Sequence, residues 1–373
     1  MDAVNESAQE LKSPRVLSAM SGGVDSSVAT ALLNEQGFEV VGSMLRFWSD
    51  ERPSEAFSLC CSPEAAYDAR RIADRLEIPF YLLDHRKEFE EIVVEPFVPT
   101  YLRGETPNPC VWCNRFIKFG SLIEKARMLD CEFMATGHYV RRVDGQGGPE
   151  LWRGVDSGKD QTYFLWALPR GILPYLLFPL GELDKPTVRK LARERGLETA
   201  EKPGSSGLCF VTDSVRHYLD SETSFNPGPV VDIASGDVIG EHRGIQYYTV
   251  GQKRHLGLFQ SHQSRFVVGF SKKENTVFVG TRNICHWDRL IAEQANYLLD
   301  IDSLPRRVMA QVRYRQSPLP ATIVRKWAEG FELQFDEPVF AVTIGQSAVL
   351  YEDDRLLGGG VITYRGGTPQ EGQ

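Results

Sequence analysis

The hydrophobic positions in the first half of the chain follow two alternating periods. Short apolar runs predict buried strands, and longer stretches with an apolar residue every three or four positions predict helices between them. Strands that alternate with helices form a parallel sheet with helices on both faces, so we predict an α/β, Rossmann-like domain with ligands at the carboxyl ends of its strands. The predicted strands are 16–20, 40–45, 80–83 and 133–136, and the predicted helices are 25–36, 64–76, 115–129 and 185–195.

After about residue 215 the pattern changes to short alternating runs separated by turns, as at 230–233, 266–270 and 276–280. A second β-rich block covers residues 307–364. Spacing of this kind predicts small β-barrels. The predicted organisation is a disordered leader at 1–14, the α/β domain at 15–215, a central β-rich domain at 216–287, a C-terminal β-barrel at 288–366 and a disordered tail at 367–373.

The composition is that of a soluble globular protein, with 42% hydrophobic and 25% charged residues. Apolar runs stay well short of the roughly 20 residues that span a membrane, and the acidic, polar start is unlike a signal or transit peptide. The net charge of −8 argues against a general nucleic-acid binder, although local basic groups remain after residue 215. Seven cysteines without a regular disulfide pattern favour a reducing compartment. We expect a cytoplasmic protein that binds neither membrane nor DNA.

The most informative segment is residues 16–27, VLSAMSGGVDSS, which reads as a strand, a glycine turn and a helix start. The first-turn N–H groups of a helix lack internal partners and bind anions, and the two adjacent glycines allow the backbone to approach the anion closely. The segment lacks both the Gly-Lys-Ser/Thr ending of the phosphate loop and the third glycine of the dinucleotide fingerprint. It resembles the pyrophosphate loop of the ATP pyrophosphatases, which split ATP into AMP and pyrophosphate and adenylate a substrate.

Cysteines provide the second chemical signal. Cys110 and Cys113 form a C-x-x-C pair before the predicted helix 115–129, and Cys209 follows a Gly/Ser-rich stretch. A C-x-x-C pair is found in redox couples, zinc sites and iron–sulfur sites, and the residues alone leave these alternatives open. Beside an adenylating loop the cysteines favour sulfur transfer, because that reaction needs both an activated acceptor and a thiol that carries sulfur.

Seven motifs in combination resemble the tRNA-specific 2-thiouridylase family. The resemblance runs from about residue 15 to residue 364 and implies an N-terminal adenylation domain, a central β domain and a C-terminal β-barrel. It implies ATP-dependent replacement of the 2-oxygen of the wobble uridine by sulfur in tRNAs for Lys, Glu and Gln, a sulfurtransferase activity. The motifs are SGGVDSS (21–27), TPNPCVWCNR (106–115), IKF (117–119), ATGHY (135–139), KDQ (159–161), SGLCF (206–210) and RYR (313–315).

The resemblance also implies a role for particular residues. ATP, with Mg²⁺, binds with its phosphates on the glycine loop, its adenine near the backbone of Met44 and its ribose near Gly137. Cys209 carries a persulfide and Cys113 is the nucleophile, so that a Cys113–Cys209 disulfide forms in the reaction cycle. His138 also belongs to the active site. The implied ATP residues are Ala19, Met20, Ser21, Gly22, Gly23, Val24, Asp25, Ser26, Met44 and Gly137, and the implied base or tRNA contacts are Asn108, Pro109, Cys110, Lys159, Asp160, Gln161, Arg313, Tyr314 and Gln346.

One position departs from the family pattern, because many members carry Asp where this chain has Cys110. Structural zinc normally takes four ligands, whereas three cysteines suit a 4Fe–4S cluster with one open iron. Cys110, Cys113 and Cys209 are therefore candidate cluster ligands, and cluster-bound sulfide competes with the persulfide route. In both schemes the sulfur comes from an external donor, either a sulfur-carrier protein or sulfide.

Two other classes of function remain open. An amidating synthetase or ligase with the same loop leaves the three cysteines unexplained, and the sequence has no evident glutaminase-like segment. A non-catalytic RNA-binding β-barrel protein does not explain the intact glycine loop. Pyrophosphate release that depends on tRNA distinguishes the thiolation enzyme from both.

Overall fold

The structure is a computed structural model that describes residues 13–47, 62–204, 207–211, 213–259 and 264–366. Residues 1–12 of the predicted leader and the whole of the predicted tail at 367–373 lie outside the described residues, as do Ser205 and Ser206 beside Cys209. Within the described ranges, none of the helices has the length and apolar character needed to cross a membrane.

The first part of the chain forms a five-stranded parallel sheet in the order β3-β2-β1-β4-β7, and the predicted α/β fold class is confirmed. Its strands are β1 Arg15–Ala19, β2 Glu39–Arg46, β3 Phe80–Asp84, β4 Phe133–Thr136 and β7 Leu176–Leu177. The helices of the chain are α1 Val24–Glu35, α2 Pro63–Arg75, α3 Arg86–Phe89, α4 Phe97–Leu102, α5 Pro109–Trp112, α6 Leu122–Met128, α7 Lys185–Glu194 and α8 Val215–Glu222, with π-helical segments at Glu90–Val94 and Cys113–Ser121.

The apolar pattern accounts for the central elements of this sheet. β1 is the middle strand, and its Leu17 is fully buried because helices cover both faces of the sheet. Three of the described helices start with side-chain caps: Ser62 accepts from the N–H of Ala65 at α2, Asp184 from that of Thr187 at α7, and Ser214 from that of His217 at α8. These signals lie in the sequence, and the predicted bounds of α1, α2 and α7 differ from the observed ones by one residue at most.

Three features of this region differ from the prediction. The predicted helix 115–129 is a π-helical segment, Cys113–Ser121, followed by α6. A helical stretch between residues 86 and 102 was not predicted, because the β-branched residues 92–94 and the prolines at 96 and 99 are poor helix formers. The hairpin of β5 (Val140–Gly145) and β6 (Gly148–Arg153) was also missed.

The second part of the chain holds two β structures, as predicted. A mixed four-stranded sheet has the order β10-β11-β8-β9, and β12, β15, β14, β13, β16 and β17 close into a barrel through the β12–β17 pairing. The strands are β8 Gly228–Asp232, β9 Val238–His242, β10 Phe266–Ser271, β11 Thr276–Gly280, β12 His286–Tyr297, β13 Arg307–Gln311, β14 Leu319–Trp327, β15 Gly330–Phe340, β16 Ser347–Glu352 and β17 Arg355–Gly366.

The barrel is joined directly to the α/β region. β6 pairs with β17 at Trp152 and Arg355, so the β5–β6 hairpin extends the barrel sheet. The Asn296 side chain donates to the carbonyl of Trp166 at 2.7 Å. A Cβ at Gly359 would lie 2.8 Å from the ring of the buried Trp166, so only glycine allows this close packing. The two regions therefore present one continuous surface.

Candidate active site

The glycine loop follows β1 and is held by its own serines. The Oγ of Ser26 accepts from the N–H of Ser21 at 3.0 Å and lies 3.1 Å from the carbonyl oxygen of Gly23, to which it donates. Gly22 has a φ of +68°, and a Cβ there would lie 2.3 Å from the carbonyl oxygen of Ala65. The turn therefore requires glycine at this position, and it delivers the chain to the start of α1.

The start of α1 is open to an anion. Gly23 is the N-cap residue, and within the described part of the chain no side chain caps this helix. A Cβ on Gly137, which follows β4, would lie 2.8 Å from the nitrogen of Ser26, so glycine lets this strand end reach the loop. Met44 is buried near the end of β2, and the N–H of Met20 donates to Ser43. The structure thus gathers all the expected ATP residues, Ala19, Met20, Ser21, Gly22, Gly23, Val24, Asp25, Ser26, Met44 and Gly137, at one edge of the sheet.

Lys185 lies beside the glycine loop, although the sequence did not predict it among the site residues. Its ammonium lies 2.5 Å from the carboxylate of Asp25, which also accepts from the hydroxyl of Tyr139 at 2.7 Å. The Lys185 side chain is 13% exposed, and burial together with Asp25 raises the pKa of Tyr139. A lysine in the first turn of a helix is unfavourable because the helix dipole is positive there. The position of Lys185 at the start of α7 was therefore the one feature of the sequence that could have marked it for a role outside the helix.

His138 lies just beyond Gly137 with its ring between apolar neighbours. Its Nδ1 is 2.8 Å from the hydroxyl of Thr136, and its ring contacts those of Phe119 and Phe178. Burial, with a smaller effect of Lys118, lowers the pKa of His138 to about 3. The imidazole is therefore neutral at physiological pH and serves as a hydrogen-bonding group.

The loop that carries Cys110 is bound to the barrel. The Gln346 side chain donates to the carbonyls of Thr106 and Pro107 at 3.1 and 3.0 Å, and that of Asn108 donates to Ser347 at 3.3 Å. Pro109 and Cys110 follow in the short helix α5. Gln346 and Asn108 were expected to contact tRNA, and here they join the cysteine loop to the barrel.

Cys113 is buried, whereas Cys110 and Cys209 are partly exposed. Cys113 and Cys209 both contact one hydrophobic cluster, in which Phe210 packs its edge against Phe97 at 5.0 Å between centroids. None of the cysteines in the described ranges forms a disulfide, so the expected Cys113–Cys209 bond is absent from this structure. Nor do any three His, Cys, Asp or Glu side chains among the described residues lie close enough together to hold a metal ion. The structure does not bring Cys110, Cys113 and Cys209 together as cluster ligands.

The KDQ segment divides into one exposed and two internal residues. Asp160 is buried, pairs with Arg153 at 3.2 Å and accepts from the hydroxyl of Thr162 at 2.8 Å. Gln161 accepts from the N–H of Tyr139 at 3.0 Å, while Lys159 is exposed. Only Lys159 presents its charge to solvent.

Arg313 and Tyr314 were expected to contact tRNA from the surface. The guanidinium of Arg313 instead donates to the carbonyl of Val250 and to the hydroxyl of Thr343, both at 2.7 Å, and burial lowers its pKa. It therefore connects the central sheet with the barrel. The Tyr314 ring lies 4.4 Å from that of Phe164 between centroids, and burial raises its pKa.

Comparisons with known proteins cover nearly the whole chain. Three family profiles match in succession: "tRNA methyl transferase HUP domain" at residues 14–213, "tRNA methyl transferase PRC-barrel domain" at 216–281 and "Aminomethyltransferase beta-barrel domain" at 287–362. The chain is 55% identical over 349 residues to the tRNA-specific 2-thiouridylase MnmA of Deinococcus radiodurans, covering 93% of this chain and 92% of that one. Against the proteins of the same name from Thermus thermophilus and Carboxydothermus hydrogenoformans, the identities are 51% and 46%, over 93% and 94% of this chain and 94% and 98% of theirs.

Proposed function

The chain belongs to the tRNA-specific 2-thiouridylase family, and from this membership we propose that it thiolates the wobble uridine of tRNA at the expense of ATP. The observation that carries the proposal is the uncapped start of α1, with Lys185 aimed at Asp25 beside it. This arrangement combines backbone N–H donors and one cation, which is what a triphosphate needs. We assign it to the ATP domain at 15–215, followed by the domains at 216–287 and 288–366.

In the first half-reaction, the uridine 2-oxygen attacks the α-phosphorus of ATP and pyrophosphate leaves. Ser21, Ser26 and the first-turn N–H groups of α1 hold the phosphates, and Lys185 moves from Asp25 to neutralise the charge that develops on the pyrophosphate. Met44 and Gly137 border the nucleoside. The product is an O-adenylated uridine with AMP as a good leaving group.

In the second half-reaction, sulfur replaces the activated oxygen. Cys209 carries a persulfide, the Cys113 thiolate attacks the inner sulfur of that persulfide, the Sγ of Cys209, and the bond to the outer sulfur breaks so that hydrosulfide leaves. Hydrosulfide adds at C2 of the uridine and expels AMP. The Cys113–Cys209 disulfide that results is reduced by an external thiol, and an external sulfur donor restores the persulfide.

The 4Fe–4S alternative has no geometric support among the described residues, since they contain no group of three metal-ligating side chains. The proposed reaction therefore proceeds without a cluster. Cys110 takes the place of the family's Asp beside the target base. Its thiol is partly exposed, and in this scheme it is not a metal ligand.

Contacts with tRNA are assigned according to exposure. We propose that Asn108, Cys110, Lys159 and Tyr314 contact the RNA directly, because each retains an exposed or partly exposed surface, and that the buried Pro109 positions Asn108 and Cys110. Asp160, Gln161, Arg313 and Gln346 act indirectly, because their polar groups are occupied by other parts of the chain. Their hydrogen bonds fix the positions of the loops and of the two β structures relative to one another.

The proposal is tested by pyrophosphate release with two tRNA substrates that differ at the wobble position. With wobble uridine, ATP and enzyme should release pyrophosphate. Wobble cytidine keeps the 2-oxygen but has a 4-amino group in place of the 4-oxygen of uridine and no hydrogen on N3. With this tRNA, release should fall to the level without tRNA. Equal release with no tRNA would assign the loop to another substrate and reject the proposal.

A further inference from the structure

Trp112 and Phe116 form a stacked aromatic pair immediately beside Cys113. Their rings lie 6.0 Å apart between centroids at an interplanar angle of 23°. Phe116 is 47% exposed and Trp112 is half-buried, so the pair reaches the surface. The residues are four positions apart across the junction of α5 with the π-helical segment, which places them on neighbouring turns.

This pair, which we call the aromatic platform, is held rigidly from within. The buried Trp166 packs its edge against Trp112 at 6.0 Å between centroids. Arg115 donates to the carbonyl of Ala167 at 3.0 Å while its guanidinium carbon lies 5.3 Å from the centre of the Phe116 ring. A fixed pair of flat, partly exposed rings loses little conformational freedom when a flat ligand stacks on it.

The platform borders the cysteine loop on one side, and a second aromatic pair borders it on the other. The Asn114 side chain donates to the carbonyl of Phe164 at 3.2 Å, and the Phe164 ring contacts that of Tyr314. Burial raises the pKa of Tyr314, and nearby Cys110 has a smaller effect in the same direction. The reacting cysteine segment is therefore flanked by aromatic rings from both regions of the chain.

We propose that the aromatic platform stacks a nucleobase adjacent to the target uridine, so that Trp112 and Phe116 position the RNA strand for thiolation. The inference rests on the proposed function. A uridine whose C2 is to reach both the ATP loop and Cys113 must leave its own base stack, and its neighbours lose stacking contacts as it does so. Exposed aromatic rings replace such contacts for any base, because every base has a π face.

The decisive variants are Phe116→Ala and Phe116→Tyr, measured by tRNA-dependent pyrophosphate release. Removing one stacking ring should raise KM for tRNA by about 5- to 150-fold and leave kcat unchanged. Phe116→Tyr retains a ring and should behave as the wild type. Tyr67→Ala is the matched control, because Tyr67 is 63% exposed and lies under Arg71 much as Phe116 lies under Arg115, but on α2.

Fluorescence gives a second and direct measurement. A short anticodon stem-loop RNA should quench the emission of Trp112 on stacking, seen as the difference between the wild type and Trp112→Phe. Phe116→Ala with a wild-type KM, a loss confined to kcat, or equal quenching in the wild type and Trp112→Phe would each overturn the platform. Failure of the proposed function is distinguishable, because the wild type itself would then release no tRNA-dependent pyrophosphate.

Discussion

The ammonium of Lys185 lies 2.5 Å from the carboxylate of Asp25, although the two residues are 160 positions apart. Asp25 is in the first turn of α1, and Lys185 is the first residue of α7. The contact places a partly buried cation beside the glycine loop at the start of α1. It also connects this loop to the start of α7, in the chain segment that follows the β5–β6 hairpin.

Replacing Lys185 by Met should lower tRNA-dependent pyrophosphate release by roughly 10²-fold, because one preorganised charge is lost where negative charge develops. The control is Lys190→Met on the same helix, where the lysine side chain is 74% exposed and faces Glu194. Pyrophosphate release measured under saturating tRNA checks both. Similar rates in the two variants would remove Lys185 from the phosphate site.

His138 should make folding less favourable at acid pH. Its pKa is about 3 in the folded protein and near 6.5 when exposed, so below pH 6.5 the unfolded chain binds a proton that the folded chain does not. Stability therefore falls as the pH drops from 6.5 toward 3. In urea unfolding over about two pH units, from about pH 7 to about pH 5, His138→Gln should lose less stability than the wild type.

The control for this experiment is His217→Gln, because the His217 side chain is 71% exposed. That variant should follow the wild-type curve. Parallel curves for His138→Gln and the wild type would show that the imidazole takes up its proton as readily in the folded state as in the unfolded one.

Replacing Arg313 and replacing its neighbour Arg315 should affect the salt dependence of tRNA binding differently. Arg313 is engaged with Val250 and Thr343, whereas Arg315 is exposed. Over about 50 to 200 mM salt, Arg315→Ala should flatten the dependence of log K for tRNA on log salt by roughly one unit. Arg313→Ala should keep the wild-type slope and increase amide hydrogen exchange around Val250 and Thr343. A flattened slope for Arg313→Ala would restore it as a phosphate contact.

Cys110→Asp should retain thiolation, because this substitution restores the residue that many family members carry, and the described residues provide no three-ligand metal group. After anaerobic purification, iron and acid-labile sulfide analysis should give the same result for the variant and the wild type. Loss of thiolation in Cys110→Asp together with loss of bound iron would return the three cysteines to a cluster.

Hydrophobic periodicity was sufficient to predict the α/β sheet, because buried parallel strands such as β1 are continuous apolar runs and helices such as α1 have clear ends. It did not predict the hairpin β5–β6, whose strands are mostly polar on both faces and are stabilised by pairing with the barrel. That pairing joins Trp152 to Arg355, which lies 203 positions away (355 − 152), so local sequence patterns carry no information about it.

The candidate site shows the same division. The motif around Ser21 and Gly22 predicted the glycine turn between β1 and α1 because the geometry of such a turn is local. The tRNA contacts of Gln346 and Arg313 stay predictions, but the hydrogen bonds that these side chains make within the chain could not be predicted, since their partners include groups in other domains: Gln346 donates to the carbonyl of Thr106, which is 240 positions away. A single sequence shows that such side chains are polar, but only the fold shows where their hydrogen bonds go.

In the proposed mechanism, adenylation and sulfur transfer are separate steps on one bound uridine. This order is tested by a single-turnover reaction with ATP, tRNA and a sulfur donor, in which pyrophosphate and 2-thiouridine are both quantified. Lys185→Met should form neither product at an appreciable rate, and Cys209→Ser should release pyrophosphate at the wild-type rate while forming no 2-thiouridine. Wild-type amounts of 2-thiouridine from Cys209→Ser, or loss of pyrophosphate release in that variant, would contradict a mechanism with two separate steps.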